Sequence, residues 1–221
     1  MPRESAILQR YTIRLAKETD IDALPGVERT AAKRFLPYLE QLEISAELLE
    51  GLTPVHFLRR SQREQRLWVA IPEGDPSGKL KSQPVGFVVT KLLHSSSFVV
   101  ELSVHPDYGR CGIGSALIEA CCVGALSRGA RQVMLTTFRY VPWNIPFYQR
   151  LGFRQVSAEQ WSPEIAAIVQ HEARYGFAKE HRVVMMRPAR RPLASADFLP
   201  SRAPASHTSA ERLLSECDRH D

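Results

Sequence analysis

Long apolar runs are missing from this chain of 221 residues. None approaches the ~20 residues that a membrane-spanning helix needs. The opening Met1-Pro2-Arg3-Glu4-Ser5 also lacks the charged-then-apolar profile of a secretory leader, so a cytoplasmic protein with no membrane partner is expected. Cysteine is scarce: Cys111, Cys121, Cys122 and Cys217, two of them adjacent and none in a CxxC pair. That excludes both a disulfide framework and a zinc-ribbon pattern. The seven histidines are scattered without HExxH spacing, so no metal site is expected. No Lys/Arg block is interleaved with aromatics; the nearest run, Arg59-Arg60-Ser61-Gln62-Arg63-Glu64-Gln65-Arg66, reads as the solvated end of a helix. With a net charge of only +5, a nucleic-acid partner is not expected.

What the chain does contain is an alternation of strands and helices. Tyr11 to Ala16 reads as a strand. Thr19-Asp20 is a capping signal before helical spacing from Ile21 to Phe35, with Pro25 in the first turns. Further helical stretches cover Pro37 to Glu50, stopped by Gly51, and Pro54 to Glu64. Leu67 to Ile71 is a short apolar strand, and Pro72 to Pro84 a Gly/Pro/Ser/Lys loop. Val85–Leu92 and Ser97–Val104 form strands whose brief link predicts an antiparallel hairpin. A helix follows over Gly112–Arg128, with Leu117, Cys121 and Ala125 on one stripe and Gly129 at its end. Then come a strand (Val133–Phe138), a short helix (Asn144–Leu151), a strand (Phe153–Val156), a helix (Pro163–Tyr175) and a last strand (Arg182–Met186). Residues 1–187 are therefore expected to form one domain. Residues 188–221, rich in Ala, Ser, Pro and Arg, are expected to form a disordered tail.

The chemistry-bearing stretch is Glu101-Leu-Ser-Val104-His-Pro-Asp-Tyr-Gly109-Arg-Cys-Gly112-Ile-Gly114-Ser-Ala-Leu117. It joins a strand to a helix through glycines. Glycine lets backbone approach a ligand closely, and the first helical turn presents unpaired N–H groups and partial positive charge. Together these suit a phosphate or pyrophosphate. A Walker A loop is excluded because Gly114 is followed by Ser115-Ala116, and the order GxxGxG is not the dinucleotide GxGxxG.

This spacing, after Glu-Leu-Ser-Val and His-Pro-Asp-Tyr, resembles motif A of the GNAT acetyltransferase superfamily. Val141-Pro-Trp143-Asn144-Ile-Pro146-Phe147-Tyr148-Gln-Arg-Leu151-Gly152-Phe153 resembles its motif B, and the element order over Thr12 to Arg187 is similar to that of the family. The resemblance implies an α/β GNAT fold: a twisted, mixed, six- to seven-stranded sheet flanked by helices, with the strands near Glu101 and Val133 splayed apart. It implies acetyl-CoA as co-substrate, held by Leu102, Ser103, Val104, Gly109, Arg110, Cys111, Gly112, Ile113, Gly114, Ser115 and Asn144. The family usually has Gln or Arg where Gly109 stands, with the arginine here one place later, which puts the weight on backbone amides.

The same resemblance implies Tyr148 as the acid that protonates the departing thiolate and Glu101 as the base. Each also has an ordinary reading, a core tyrosine and a half-exposed strand residue. Asn144 reads equally as a cap for its short helix. Thr136, Thr137 and Phe138 lie where an acceptor could enter, and Trp143 and Tyr140 could line its pocket. Cys111 near a helix N-terminus invites a nucleophile role, but no His-x-Asp arrangement accompanies it. The expected activity is transfer of acetyl to a primary amine of a small molecule by direct attack. A protein or peptide acceptor, and a CoA-binding regulatory module without turnover, are the alternatives. A homodimer is compatible with the resemblance.

Overall fold

Residues 11–73 and 83–189 are described by the computed structural model. The expected disordered tail, from residue 190 on, and most of the 72–84 loop lie outside the described residues.

Seven strands form one sheet in the order β1-β2-β3-β4-β5-β7-β6. They are β1 (Tyr11–Leu15), β2 (Leu67–Pro72), β3 (Gly86–Leu92), β4 (Ser96–Val104), β5 (Gln132–Phe138), β6 (Arg154–Gln155) and β7 (Arg182–Pro188). All neighbours run antiparallel except β4 and β5, which are parallel. The helices are α1 (Leu24–Ala32), α2 (Leu39–Leu42), α3 (Val55–Arg63), α4 (Ile113–Ser127), α5 (Asn144–Arg150) and α6 (Pro163–Arg174). This is a mixed seven-stranded sheet covered by helices, as the resemblance implies.

The two faces of the sheet carry separate cores, as the period-2 alternation of a strand demands. On one face α4 buries Ile113, Leu117, Ile118, Cys121 and Cys122 against Val88, Val99, Val133 and Leu135. Each fully buried aliphatic side chain there contributes about 1.5–3 kcal/mol of transfer free energy, which fixes the helix start over the strand ends. Cys121 and Cys122 are packing residues, with Cys121 Sγ directed at the Ile118 carbonyl 3.2 Å away. On the other face α1 and α3 set Leu24, Val27 and Leu58 on Val69, Phe87 and Val89. Gly129, at φ 78°, ends α4 with its successor's amide bonded back to Ala125.

The region before β2 departs from the sequence expectation. The helix expected over Ile21–Phe35 is a 3₁₀ turn (Glu18–Ala23), then α1, then a second 3₁₀ turn (Lys33–Tyr38). The capping carboxylate is Asp20, which accepts from the Lys17 amide at 2.6 Å and is bridged by Arg14. The helix expected over Pro37–Glu50 is reduced to α2 and a 3₁₀ turn (Glu47–Glu50). Pro37 supplies no N–H to continue a ladder, and Glu43 stands at φ 52°. The helical spacing of Leu39, Leu42 and Leu48 instead serves a cluster with Phe138 and Val141.

Candidate active site

β4 and β5 pair over three residues only, Ser96 to Phe98 against Gln132 to Met134. β4 then parts from β5. Opposite Val89 and Thr90, whose partners are Glu101 and Val99, the register shifts and leaves Val100 as an extra residue. Such a bulge bends its strand. The amide of His105 donates to the Val85 carbonyl, so by antiparallel alternation Glu101 and Ser103 turn their main-chain groups toward β3. Leu102 and Val104 turn theirs into the gap. The gap widens into a cavity of about 930 Å³ reached by both strands, the α4 start, α5 and α1.

The turn into α4 forms one wall. Gly112 stands at φ 82° and precedes the helix without any side-chain cap. The first helical amides, through Ser115, have no protein acceptor among the described residues. An unsatisfied helix start of this kind favours an anion. Gly109 has no room for a side chain, since a Cβ there would lie 2.9 Å from the Pro106 carbonyl oxygen. The loop therefore carries its arginine one place later, where Arg110 takes a left-handed φ of 63° and lines the cavity. Gly114 lets the Phe147 ring approach, with a Cβ position 3.3 Å from its edge.

Glu101 and Tyr148 both line the cavity. Burial raises the Glu101 carboxyl above the usual range, against the opposing Ser103 hydroxyl, the Leu102 amide and the charge of Arg182. The Ser103 hydroxyl donates to Glu101 Oε1 at 2.8 Å. Tyr148 is wedged edge-on between Phe147 and Phe153, at 4.9 and 5.7 Å. Burial, and then the negative charge of Glu101, lift its phenol well above the ordinary value. It therefore keeps its proton at neutral pH, and the two groups feel each other's charge.

Three further residues come to this cavity that sequence reasoning passed over. Glu28 of α1 is 7% exposed. Its Oε1 accepts from the Thr53 amide at 3.0 Å and hydroxyl at 2.9 Å, while Oε2 is buried without a partner. Burial first, and then the charge of Glu101, raise its carboxyl to about 7. Its signal was present: Glu28 shares the apolar stripe of Leu24, Val27 and Ala31 at helical spacing. Glu172 and Arg182 form an ion pair at 3.0 Å. Thr136 donates to Glu172 Oε1 at 2.5 Å and accepts from Arg182 Nη2 at 2.8 Å. The guanidinium lies over the Phe138 and Phe177 rings, 4.8 and 5.5 Å from their centres. These residues sit near the ends of α6 and β7, with nothing local in sequence to join them.

Of the residues singled out in sequence, Glu101, Leu102, Ser103, Val104, Gly109, Arg110, Gly112, Ile113, Gly114, Ser115, Asn144 and Tyr148 line the cavity, as do Thr136, Thr137, Phe138 and Trp143. Cys111 does not: it is exposed, with Sγ directed at the Gly109 carbonyl at 3.5 Å. Tyr140 is 46% exposed and packs on His181 instead. Asn144 is not the cap of α5. Trp143 holds that position without a side-chain bond, because the preceding turn, closed by the Asn144 amide on Val141, already starts the helix. The buried Asn144 amide group has no hydrogen-bond partner among the described residues and faces the cavity.

Residues 63–155 match the family model described as an acetyltransferase (GNAT) domain. Among solved structures, the chain is similar to the PaiA N-acetyltransferase of Thermoplasma acidophilum in complex with coenzyme A, at 17% identity and TM-score 0.57, covering 81% of this chain and 99% of that one. It is similar to the ribosomal-protein-S18-alanine N-acetyltransferase of Escherichia coli, at 17% identity and TM-score 0.52, over 86% and 100% of the two chains. It is also similar to N-acetylglutamate synthase of Neisseria gonorrhoeae complexed with coenzyme A and N-acetyl-glutamate, at 16% identity and TM-score 0.56, over 82% of this chain and 36% of that one.

Proposed function

We propose, from the premise of a GNAT fold carrying a GNAT acetyltransferase domain over residues 63–155, that this protein transfers the acetyl group of acetyl-CoA to a primary amine of a small molecule. The observation that carries the reading is the split between β4 and β5, which ends in an uncapped helix start on one side and the Glu101–Tyr148 pair on the other. The amides of Ile113, Gly114 and Ser115 would receive the pyrophosphate, with Arg110 beside them. The main-chain groups of Val104, with the Leu102 carbonyl, would pair with the pantetheine arm as an added strand does. Asn144 would give that arm a further hydrogen bond.

Glu101 takes a proton from the acceptor's ammonium group, directly or through one water, leaving a neutral amine. The nitrogen then forms its bond to the acetyl carbon. The same strand, β4, would supply the donor to the oxygen on which negative charge develops. As the carbon–sulfur bond breaks, Tyr148 gives its proton to the sulfur. The amide nitrogen's second proton restores the phenol, so one proton per turnover leaves through Glu101. Solved relatives of this fold include an enzyme whose acceptor is a ribosomal-protein alanine, and a peptide acceptor is the second reading. The small-molecule reading is supported by the aromatic lining that Trp143, Phe35 and Phe177 give the cavity.

The test is thiol release from acetyl-CoA over a panel of amines, amino acids and short peptides. Tyr148→Phe should lose about two to three orders of magnitude in kcat, the usual worth of a proton donor, with acetyl-CoA binding retained. Full turnover in that variant would remove Tyr148 as the acid, and no thiol release with any amine would sink the transferase reading.

A further inference from the structure

The proposed chemistry leaves one buried acid of the cavity without a task. Glu28 commits Oε1 to Thr53 and leaves Oε2 buried and unpartnered. A buried carboxylate oxygen without a donor is costly unless a ligand supplies one. No protein cation bonds to it among the described residues: Arg182 gives its side-chain bonds to Glu172 and Thr136, and Arg34 lies over the Trp143 ring. Glu28 and Glu101 are near enough that the charge of one raises the other. Beside this acid pair the wall turns aromatic. Phe35 meets Phe138 edge-on at 5.2 Å and Trp143 at 6.1 Å, and Phe138 meets Phe177 at 5.9 Å.

We infer that Glu28 is an acceptor-binding residue whose free Oε2 receives an N–H of the substrate's ammonium group, and that the acceptor is a small primary amine on an aromatic body lying against Phe35, Phe138, Trp143 and Phe177. The inference rests on the acetyl-transfer reading and names its acceptor class. Charge decides against the other classes. An α-amino acid would set its carboxylate beside two acids. A polyamine's second ammonium would find no free carboxylate in Glu172, which is already bonded to Arg182 and Thr136.

The full-length protein is titrated calorimetrically with phenethylamine, phenethyl alcohol and spermidine, with and without CoA, and thiol release is then followed with acetyl-CoA. Phenethylamine should bind and phenethyl alcohol should bind at least about tenfold more weakly, the worth of one charge-assisted hydrogen bond. The amine's kcat/KM should exceed those of spermidine, glycine and an alanine-led tripeptide by about tenfold or more. Glu28→Gln keeps an oxygen for Thr53, and should raise KM for phenethylamine about tenfold or more while kcat and CoA affinity hold. Phe35→Ala should narrow the preference for phenethylamine over methylamine. An unchanged KM in Glu28→Gln overturns the inference, as does a preference for spermidine or the peptide. If CoA fails to bind, the transferase reading falls, and the amine titration still judges Glu28: equal phenethylamine Kd in wild type and Glu28→Gln overturns it.

Discussion

Glu28 binds its proton more tightly in the folded protein than in the unfolded chain, because burial and the Glu101 charge raise it from 4.5 to about 7. Its contribution to stability is therefore fully present below pH 4.5 and is lost as the pH rises through about 7. A shift of this size corresponds to up to about 3 kcal/mol. Urea unfolding of the unliganded protein should show stability falling across that window, and Glu28→Gln should flatten the fall and be the more stable protein at pH 8. A variant with the wild-type slope would mean that Glu28 titrates normally. Glu101 and Tyr148 were legible in sequence because each sits in a motif of fixed spacing beside a glycine turn. Glu28, Glu172 and Arg182 were not, because tertiary packing alone assembles them. Glu28 had only its place on an apolar helical stripe to mark it. Gly109 was read as a departure from a pattern; the approach of the Pro106 carbonyl explains it.

At the scale of elements, α4 carries the strongest constraint. Its interior glycine, Gly124, lies under Trp68, and a Cβ there would fall 2.2 Å from that indole. The indole is 7% exposed and held in the core, so it has little room to yield. Gly124→Ala should cost about 1–3 kcal/mol through overpacking, despite alanine's better helix propensity. Thermal denaturation checks this, and a stabilised variant would contradict the packing described. Strands and helices from β2 onward were legible from apolar runs and glycine stops, since those signals are local. The β6 strand expected over Phe153–Val156 shortens to Arg154–Gln155, because only those residues pair with β7. The segment between α1 and α3 misled the sequence reading for a different reason. Its leucines have helical spacing, yet Pro37 and the left-handed Glu43 break the backbone, and the side chains pack onto Phe138 and Val141 by separate short turns.

On the scale of the whole molecule one cavity is lined by an uncapped helix start, an acid pair and aromatic rings. On the proposed function both substrates would be held at once in such a site, and acetyl would pass between them directly. Initial-rate patterns at varied acetyl-CoA and amine should intersect, and Cys111→Ala, which alters an exposed thiol outside the cavity, should keep the wild-type rate. Parallel lines would instead demand an acyl-enzyme. Among the described residues no helix is long and apolar enough to cross a membrane. The central claim is that the gap between β4 and β5, capped by the amides at Ile113 to Ser115, is an acetyl-CoA site. Calorimetric titration of the full chain with acetyl-CoA tests it most directly. The account predicts one site per chain, weakened by Gly112→Val, whose side chain must adopt the φ of 82° 3.1 Å from the Tyr11 hydroxyl. No binding heat at millimolar acetyl-CoA, in a protein shown to be folded, would contradict it.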